Sequence, residues 1–344
     1  MKDITFAVIG AGFMGKVLAR VGHELPYAHC VAAADTNLAN AQELVHTYGG
    51  KAYLDYREML DRERADTVLV ATPEYLHLQP VLAACEYGSH VFVEKPFAIT
   101  LADADSMIQG CKDAGVKLMV GHILRFEVNY AMIQTAVQEG SIGRFLSAYA
   151  RRNTTIGEAY RLAGRVSPIT YIAVHDIDQM LWYHPAPIKS VYARALKGRV
   201  WDKYETYDCA WLTIEFADGA LGILEVGWCL PEEWAGWSSP ISWGGFGDVR
   251  MNVVGTDGVL NLNFTPMNLY ACDHDGWKLP DTRHWPVMND KLVGAAKLEM
   301  EHFFECVLEN KEPRVSGEDG RRSIEVMIAA EQSIAEDRII YLPL

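Results

Sequence analysis

Disulfide and zinc frameworks are the first things missing from this chain. Its seven cysteines (30, 85, 111, 209, 229, 272 and 306) are scattered, odd in number and never arranged as C-x-x-C. They read as small, mostly buried apolar residues, and no metal site is expected. No apolar run approaches the ~20 residues that span a bilayer. The opening MKDITFAVIGAG runs straight into a strand pattern without a basic leader, so a cytoplasmic protein is expected. Positive charge is scarce as well. Against 45 Asp and Glu there are 31 Lys and Arg, a net charge of −14, and such a field repels phosphate backbones and anionic membranes. Neither nucleic acid nor a membrane is an expected partner. Internal repeats, low-complexity tracts and obvious linkers are also lacking. What is present is 344 residues, half of them hydrophobic, enough for two domains with real cores.

The texture of the chain changes once. Up to about residue 121, the short apolar runs ITFAVIG, CVAAAD, DTVLVATP, HVFVEKP and KLMVGH alternate with helix patterns, as in successive βαβ units. One such helix starts after Thr100 as N-cap and stops at Gly115. This predicts an α/β domain with a doubly wound parallel sheet over 1–121. After residue 145, longer alternating strands with tight turns take over. CAWLTIEFADGALGILEVGW reads as a hairpin around Asp218-Gly219, and RMNVVGTDGVLNLNF as another around Asp257-Gly258. Residues 122–344 are therefore expected to form an α+β domain with an open, mostly antiparallel sheet.

VIGAGFMG places Gly10, Gly12 and Gly15 between a strand and a helix pattern. The first glycine permits the tight turn, the second lets backbone approach a pyrophosphate, and the third lets helix and strand pack closely. The pyrophosphate rests on the helix N-terminus. Asp35, 20 residues beyond Gly15 at the end of the second strand, is placed to bind the adenosine ribose hydroxyls. A carboxylate there repels a 2′-phosphate, and no Arg or Lys follows in DTNLANAQ. NAD is thus favoured over NADP, with Phe13 and Met14 of the same turn also counted as cofactor-binding candidates.

VFVEKPFA (91–98) ends a strand in charge. Past the carboxyl end of such a strand a side chain faces the ligand crevice, so Lys95 can exchange a proton with a substrate hydroxyl near the nicotinamide. The alternative is a salt bridge at a domain seam. A lysine near its ordinary ~10.4 is a poor base at neutral pH, so catalysis would need desolvation or a neighbouring positive charge.

Taken together, VIGAGFMG, VATPEYLHLQPVLAACEYGSHVFVEKP, VGHILRF, EGSIGRFLSAYARRN, HDIDQMLW and EPRVSGEDGRRSIEVMIAAEQS resemble the Gfo/Idh/MocA oxidoreductases over essentially the whole chain. The resemblance implies a Rossmann domain joined to an open sheet that often forms the oligomer interface. It also implies that the Glu94-Lys95-Pro96 turn lines the nicotinamide site, commonly with a cis Lys-Pro bond, and that Thr72, Pro73 and His77 keep the cofactor-side pattern, whereas Glu74 stands where the family usually has Asn. His175, on an apolar helix where a histidine is often only core, becomes a candidate for the group that meets the sugar hydroxyl. Asp178 or Asp176 would fix its tautomer, and Asp176 is also a candidate substrate ligand. Arg125 and Asn153 stand where relatives hold substrate hydroxyls.

The chain also departs from the pattern. Inositol dehydrogenase-like members carry an Asp four residues before the histidine, where this chain has Tyr171. At that spacing its neutral hydroxyl still shares the helix face of His175. Arg151, kept as a substrate-binding candidate, replaces a frequent His and weakens inositol itself as substrate. Trp234 and Trp237, with Trp243, lie in a Gly- and Ser-rich stretch and read as a sugar platform, a subunit contact or plain core. The expected function is an NAD-dependent dehydrogenase acting on a secondary hydroxyl of a sugar, cyclitol or glycoside, with Lys95 and His175 handling the proton, in a homo-oligomer (dimer or tetramer). The alternatives are an NAD-dependent glycosidase or lyase using transient oxidation, and a non-catalytic sensor, against which the retained Lys95 and His175 argue.

Overall fold

The computed structural model describes residues 3–162, 164–232, 247–264, 271–273, 276–278 and 281–344. Two compact units are present, Met1–Phe126 with Arg283–Arg321, and Glu127–Thr282 with Arg322–Leu344. Among the described residues no helix is long and apolar enough to cross a membrane.

In the first unit, β1 (Ile4–Ile9), β2 (Ala28–Ala34), β3 (Lys51–Tyr53), β4 (Thr67–Val70), β5 (His90–Glu94) and β6 (Leu118–Gly121) form one sheet in the order β3-β2-β1-β4-β5-β6. Every pairing is parallel. Helices α1 (Phe13–Glu24), α2 (Leu38–Tyr48), α3 (Tyr56–Glu63), α4 (Leu78–Glu86) and α5 (Leu101–Ala114) make the crossovers. Crossovers return over a face of the sheet, so the strands are buried on both sides and read as continuous apolar runs. Val91, Phe92 and Val93 are fully buried accordingly. The ends of α5 follow the expected signals. Thr100 Oγ1 accepts the Asp103 N–H at 3.1 Å, and Gly115 closes the helix at φ +67°. The Ala295–Leu308 helix belongs to this unit too, with Phe303 packed on Phe92 and Phe304 on Phe6.

The second unit is built on β7 (Phe145–Thr155), β8 (Ile188–Leu196), β9 (Cys209–Phe216), β10 (Leu221–Leu230), β11 (Asp248–Gly255) and β12 (Val259–Asn263), ordered β12-β11-β7-β10-β9-β8 with the short strand Ile340–Tyr341 beyond β8. Only the β7–β10 pairing in this sheet is parallel. Both expected hairpins are present, β9–β10 with Gly219 at φ +88° and β11–β12 closed by the Gly255 N–H to Gly258 C=O bond at 2.9 Å. Alternation sorts the side chains. Ala148, Ala150, Arg152, Leu212, Ile214, Leu224 and Val226 are buried on one face, covered by α8 (Val174–Tyr183). Tyr149, Arg151, Trp211, Ile223 and Glu225 point to the other, which is more open. Two further helices flank β7, α6 (Val128–Gln138) before it and α7 (Ile156–Leu162) after it.

Candidate active site

In a parallel sheet the carboxyl ends of all strands share one edge, and here the strand order reverses between β1 and β4. Gly10 follows β1 at φ +94°, and a Cβ there would lie 2.7 Å from the Ala71 carbonyl carbon and oxygen. A Cβ on Gly15 would meet the Gly10 oxygen at 2.0 Å. Gly12, by contrast, caps α1 with open space beside it, no side chain bonded across the cap and no acid in the first turn. The unpaired N–H groups of that turn suit an anion. Asp35 Oδ2 accepts the Ala11 N–H at 2.8 Å, and its Oδ1 accepts the Asn37 N–H at 2.8 Å. The carboxylate thus both braces the glycine turn and lies beside it, half-exposed. Phe13 is exposed and Met14 half-buried on the same turn. After β4, the buried Thr72 Oγ1 has no hydrogen-bond partner among the described residues. A turn with room only for glycine, an open helix end, a ribose-type carboxylate and an orphaned hydroxyl together fit a dinucleotide.

His77 has a different place. It is buried, with Nδ1 3.1 Å from the Phe97 carbonyl oxygen and Nε2 2.9 Å from that of Thr72. Burial pushes its pKa down. The ring therefore ties the segments after β4 and β5 together. Pro73 leads into the short 3-10 turn Glu74–Leu76, in which Glu74 is buried. Lys95 follows β5 at once, half-buried, and its bond to Pro96 is cis. Its backbone N–H donates to Glu94 Oε2 at 3.2 Å. Arg125 is buried in this unit, paired with Asp319 at 3.3 Å.

In the second unit, a single π turn, Ile169–Ala173, leads into α8, and such turns concentrate at functional sites. His175, Asp176 and Asp178 lie in the first turns of α8, all buried. Asp176 spends both oxygens on Arg152: Nε reaches Oδ2 at 2.6 Å and Nη2 reaches Oδ1 at 2.9 Å, while Nη2 also donates to the Tyr130 hydroxyl at 2.8 Å. Asp178 Oδ2 accepts from Gln179 at 3.2 Å. Tyr171 is half-buried, and its hydroxyl accepts from Arg161 Nη2 at 3.2 Å; the same nitrogen donates to Glu158 at 2.6 Å.

Arg151 and Asn153 lie on the face of the sheet that α8 does not cover. Arg152 faces α8, so its two neighbours on β7 point to the opposite face, by the period of two. There Arg151 pairs with Asp248, and Asn153 Nδ2 donates to Glu225 Oε1 at 2.7 Å. Asp176 is likewise not available as a ligand, because the Arg152 fork occupies it. Trp234, Trp237 and Trp243 lie outside the described residues. Sequence reading passed over Arg152, Arg161 and Glu299. Only the last left a local signal: it is a charged residue on a stripe of Ala295, Ala296, Met300, Phe303 and Phe304 that is otherwise apolar and buried.

Fold and site define a dinucleotide-dependent oxidoreductase of the Rossmann type. The family described as "Oxidoreductase family, NAD-binding Rossmann fold" matches residues 4–122, and its companion, "Oxidoreductase family, C-terminal alpha/beta domain", matches 135–344. The chain belongs to the Gfo/Idh/MocA oxidoreductases, and its N-terminal domain is NAD-binding. It is similar to a myo-inositol 2-dehydrogenase of Thermotoga maritima, 27% identical over 97% of each chain. It is also similar to a 2,7-anhydro-N-acetylneuraminate hydratase of Mediterraneibacter gnavus, 35% identical, but that match spans only 44% of this chain and 40% of the relative. Among solved structures, a "probable dehydrogenase" from Thermotoga maritima superposes with a TM-score of 0.81 at 26% identity, covering 98% of each chain.

Proposed function

We propose that the protein is an NAD-dependent dehydrogenase acting on a secondary hydroxyl of a cyclitol, sugar or glycoside, with Lys95 and His175 handling the hydroxyl proton. The observation that carries this reading is Lys95, set immediately past β5 on the edge that also holds the Gly10–Gly15 turn and Asp35. NAD, when bound, supplies the two-electron acceptor. The open Gly12 end of α1 would hold its pyrophosphate and Asp35 its adenosine ribose. Lys95 is read as the group that takes the proton from the substrate hydroxyl, and His175 as a second group able to exchange a proton. Oxidation of the hydroxyl releases a proton, so the reaction is favoured towards alkaline pH. Tyr171, oriented by Arg161, offers a hydroxyl. We read Asp176 as scaffold for the helix that carries His175, and Asp178 as its nearest remaining carboxylate in chain position.

Full-length similarity to an inositol dehydrogenase makes cyclitols the first class to test. A panel of cyclitols, sugars and glycosides is incubated with NAD and followed at the NADH absorbance. A substrate that yields NADH supports the dehydrogenase reading. The similarity to a hydratase of an anhydro sugar favours a second reading, in which NAD stays bound and oxidation is transient. Product release without net NADH is its signature. Silence on both readouts would leave a sensor.

The outward sheet face exposes Tyr192, Leu196, Trp211, Leu221 and Ile223, apolar side chains of the kind a partner surface can cover. We infer that a second copy covers it in a dimer or tetramer, which light scattering tests. We also propose that the protein is cytoplasmic, a reading supported by its scattered cysteines without a disulfide pattern.

A further inference from the structure

Below the Glu94-Lys95-Pro96 turn lies a second carboxyl group. Phe92 and Glu94 are two residues apart on β5 and so share a face. Phe303 and Glu299 are four apart on the Ala295–Leu308 helix and share a face there. The Phe92 and Phe303 rings touch at 5.8 Å between centroids, so stepping along both elements brings Glu94 towards Glu299. Gly121, opposite Glu94 on β6, packs closely against this strand, since a Cβ there would press on the Phe92 ring at 3.0 Å and on Glu94 Cα at 3.4 Å. Both side chains are buried, Glu94 at 7% exposure and Glu299 at 1%. Glu299 Oε1 has no hydrogen-bond partner among the described residues, and Glu94 receives the Lys95 backbone N–H.

Two buried carboxylates side by side cannot both stay charged. We propose that Glu94 and Glu299 form a proton-holding carboxyl pair, with Glu299 as a positioning residue that keeps its proton, so that no more than one negative charge lies beside Lys95. Burial, against the pull of Lys95, pushes the Glu94 carboxyl up to about 7, and burial together with the Glu94 charge pushes Glu299 well above the usual range. Other charges on the surrounding elements are bound elsewhere: Lys16 to Glu43 and Arg20 to Glu24 on α1, and Arg125 to Asp319 after β6. On the helix itself, Glu301 and Glu305 act on Tyr27, and His302 bonds the Arg314 N–H. His122, the residue after β6, is buried. Lys95 is the cation whose charge acts on Glu94.

The consequence, which rests on the reading of Lys95 as proton acceptor, is a charge that depends on pH. With Glu94 protonated, the pair is neutral and adds no negative charge beside Lys95. Once Glu94 ionises, the pair is singly negative and favours the ammonium. A second negative charge would strengthen that attraction, and the retained Glu299 proton prevents this.

Infrared spectra of the substrate-free protein, from about pH 6 to about pH 9, read the proton directly. The carbonyl stretch of a protonated carboxyl group is expected in the wild type and persists above pH 7, whereas in Glu299→Gln only the Glu94 contribution remains and it fades as the pH passes about 7. In Glu94→Gln the same stretch should disappear at a lower pH than in the wild type, because the like charge that holds the Glu299 proton is gone. A wild type without that stretch, or a Glu94→Gln titration that coincides with the wild type, overturns the proposal. Should Glu299→Gln fail to fold, the comparison of Glu94→Gln with the wild type still decides. Glu94→Gln should also move the alkaline rise of kcat/KM to lower pH, which a purely structural Glu94 would not do. The spectra need no turnover, so a Lys95 that proves dispensable and a carboxyl pair that proves absent are separate results.

Discussion

The two large sheets use their faces in opposite ways. The parallel sheet of the first unit is buried on both faces, so its chemistry can sit only at an edge, and chain position alone says which residues reach it. Gly10, Asp35, Thr72 and Lys95 all follow the ends of their strands. The mixed sheet of the second unit has one face under α8 and one more open, so the parity of a residue decides its surroundings. Arg151, Arg152 and Asn153 are consecutive, yet Arg152 is locked to Asp176 while its neighbours bond to Asp248 and Glu225 across the sheet. Proximity in sequence is a good guide at a strand end and a poor one along a two-faced strand.

The largest effect is expected at the edge. Lys95→Met should lower kcat by roughly 10²–10⁴ while NAD still binds, the range for a positioned acid or base. Steady-state kinetics with a confirmed substrate, alongside NAD titration, measure this, and near-normal turnover would move Lys95 to a structural role. Next comes the covered face. Asp176→Ala strands the Arg152 charge in the core and should cost about 3–5 kcal/mol of stability, whereas Arg151→Ala, at a partly exposed pair with Asp248, should cost no more than about 1 kcal/mol. Denaturant melts of the two variants compare the faces of β7 directly; equal losses would show that parity does not govern this sheet.

Smaller changes refine the edge. Asp35→Ser removes the acceptor of the Ala11 N–H and the charge that opposes a 2′-phosphate. NAD affinity should fall by roughly 1.5–3 kcal/mol, the worth of a hydrogen bond to a charged group, and its advantage over NADP should narrow. Dissociation constants for both nucleotides are the check, and an unchanged ratio would leave Asp35 as a brace of the turn only. The smallest effect is expected at the π turn. Tyr171→Phe should cost about 0.5–1.5 kcal/mol, a threefold to tenfold loss in kcat/KM. If Phe matches the wild type at every pH, Tyr171 is packing that Arg161 happens to touch.

Local chain chemistry was enough for a good part of this protein. The glycine turn, the parallel order of βαβ units, the Thr100 and Gly115 ends of α5 and both Asp-Gly hairpins depend on residues close in sequence, whose backbone preferences act whatever the rest of the chain does. The cis Lys95–Pro96 bond and the candidacy of His175 came from likeness to a family, for spacing alone left His175 as ordinary core. What local pattern does not carry is the partner of a buried charge. Arg152 and Asp176 are 24 residues apart, and Glu94 and Glu299 come from segments joined only because Arg283–Arg321 returns to the first unit. A charge leaves water only where a fold supplies its counterpart or takes away its ionisation, and that counterpart is chosen by packing between distant segments, which the order of residues along the chain does not display.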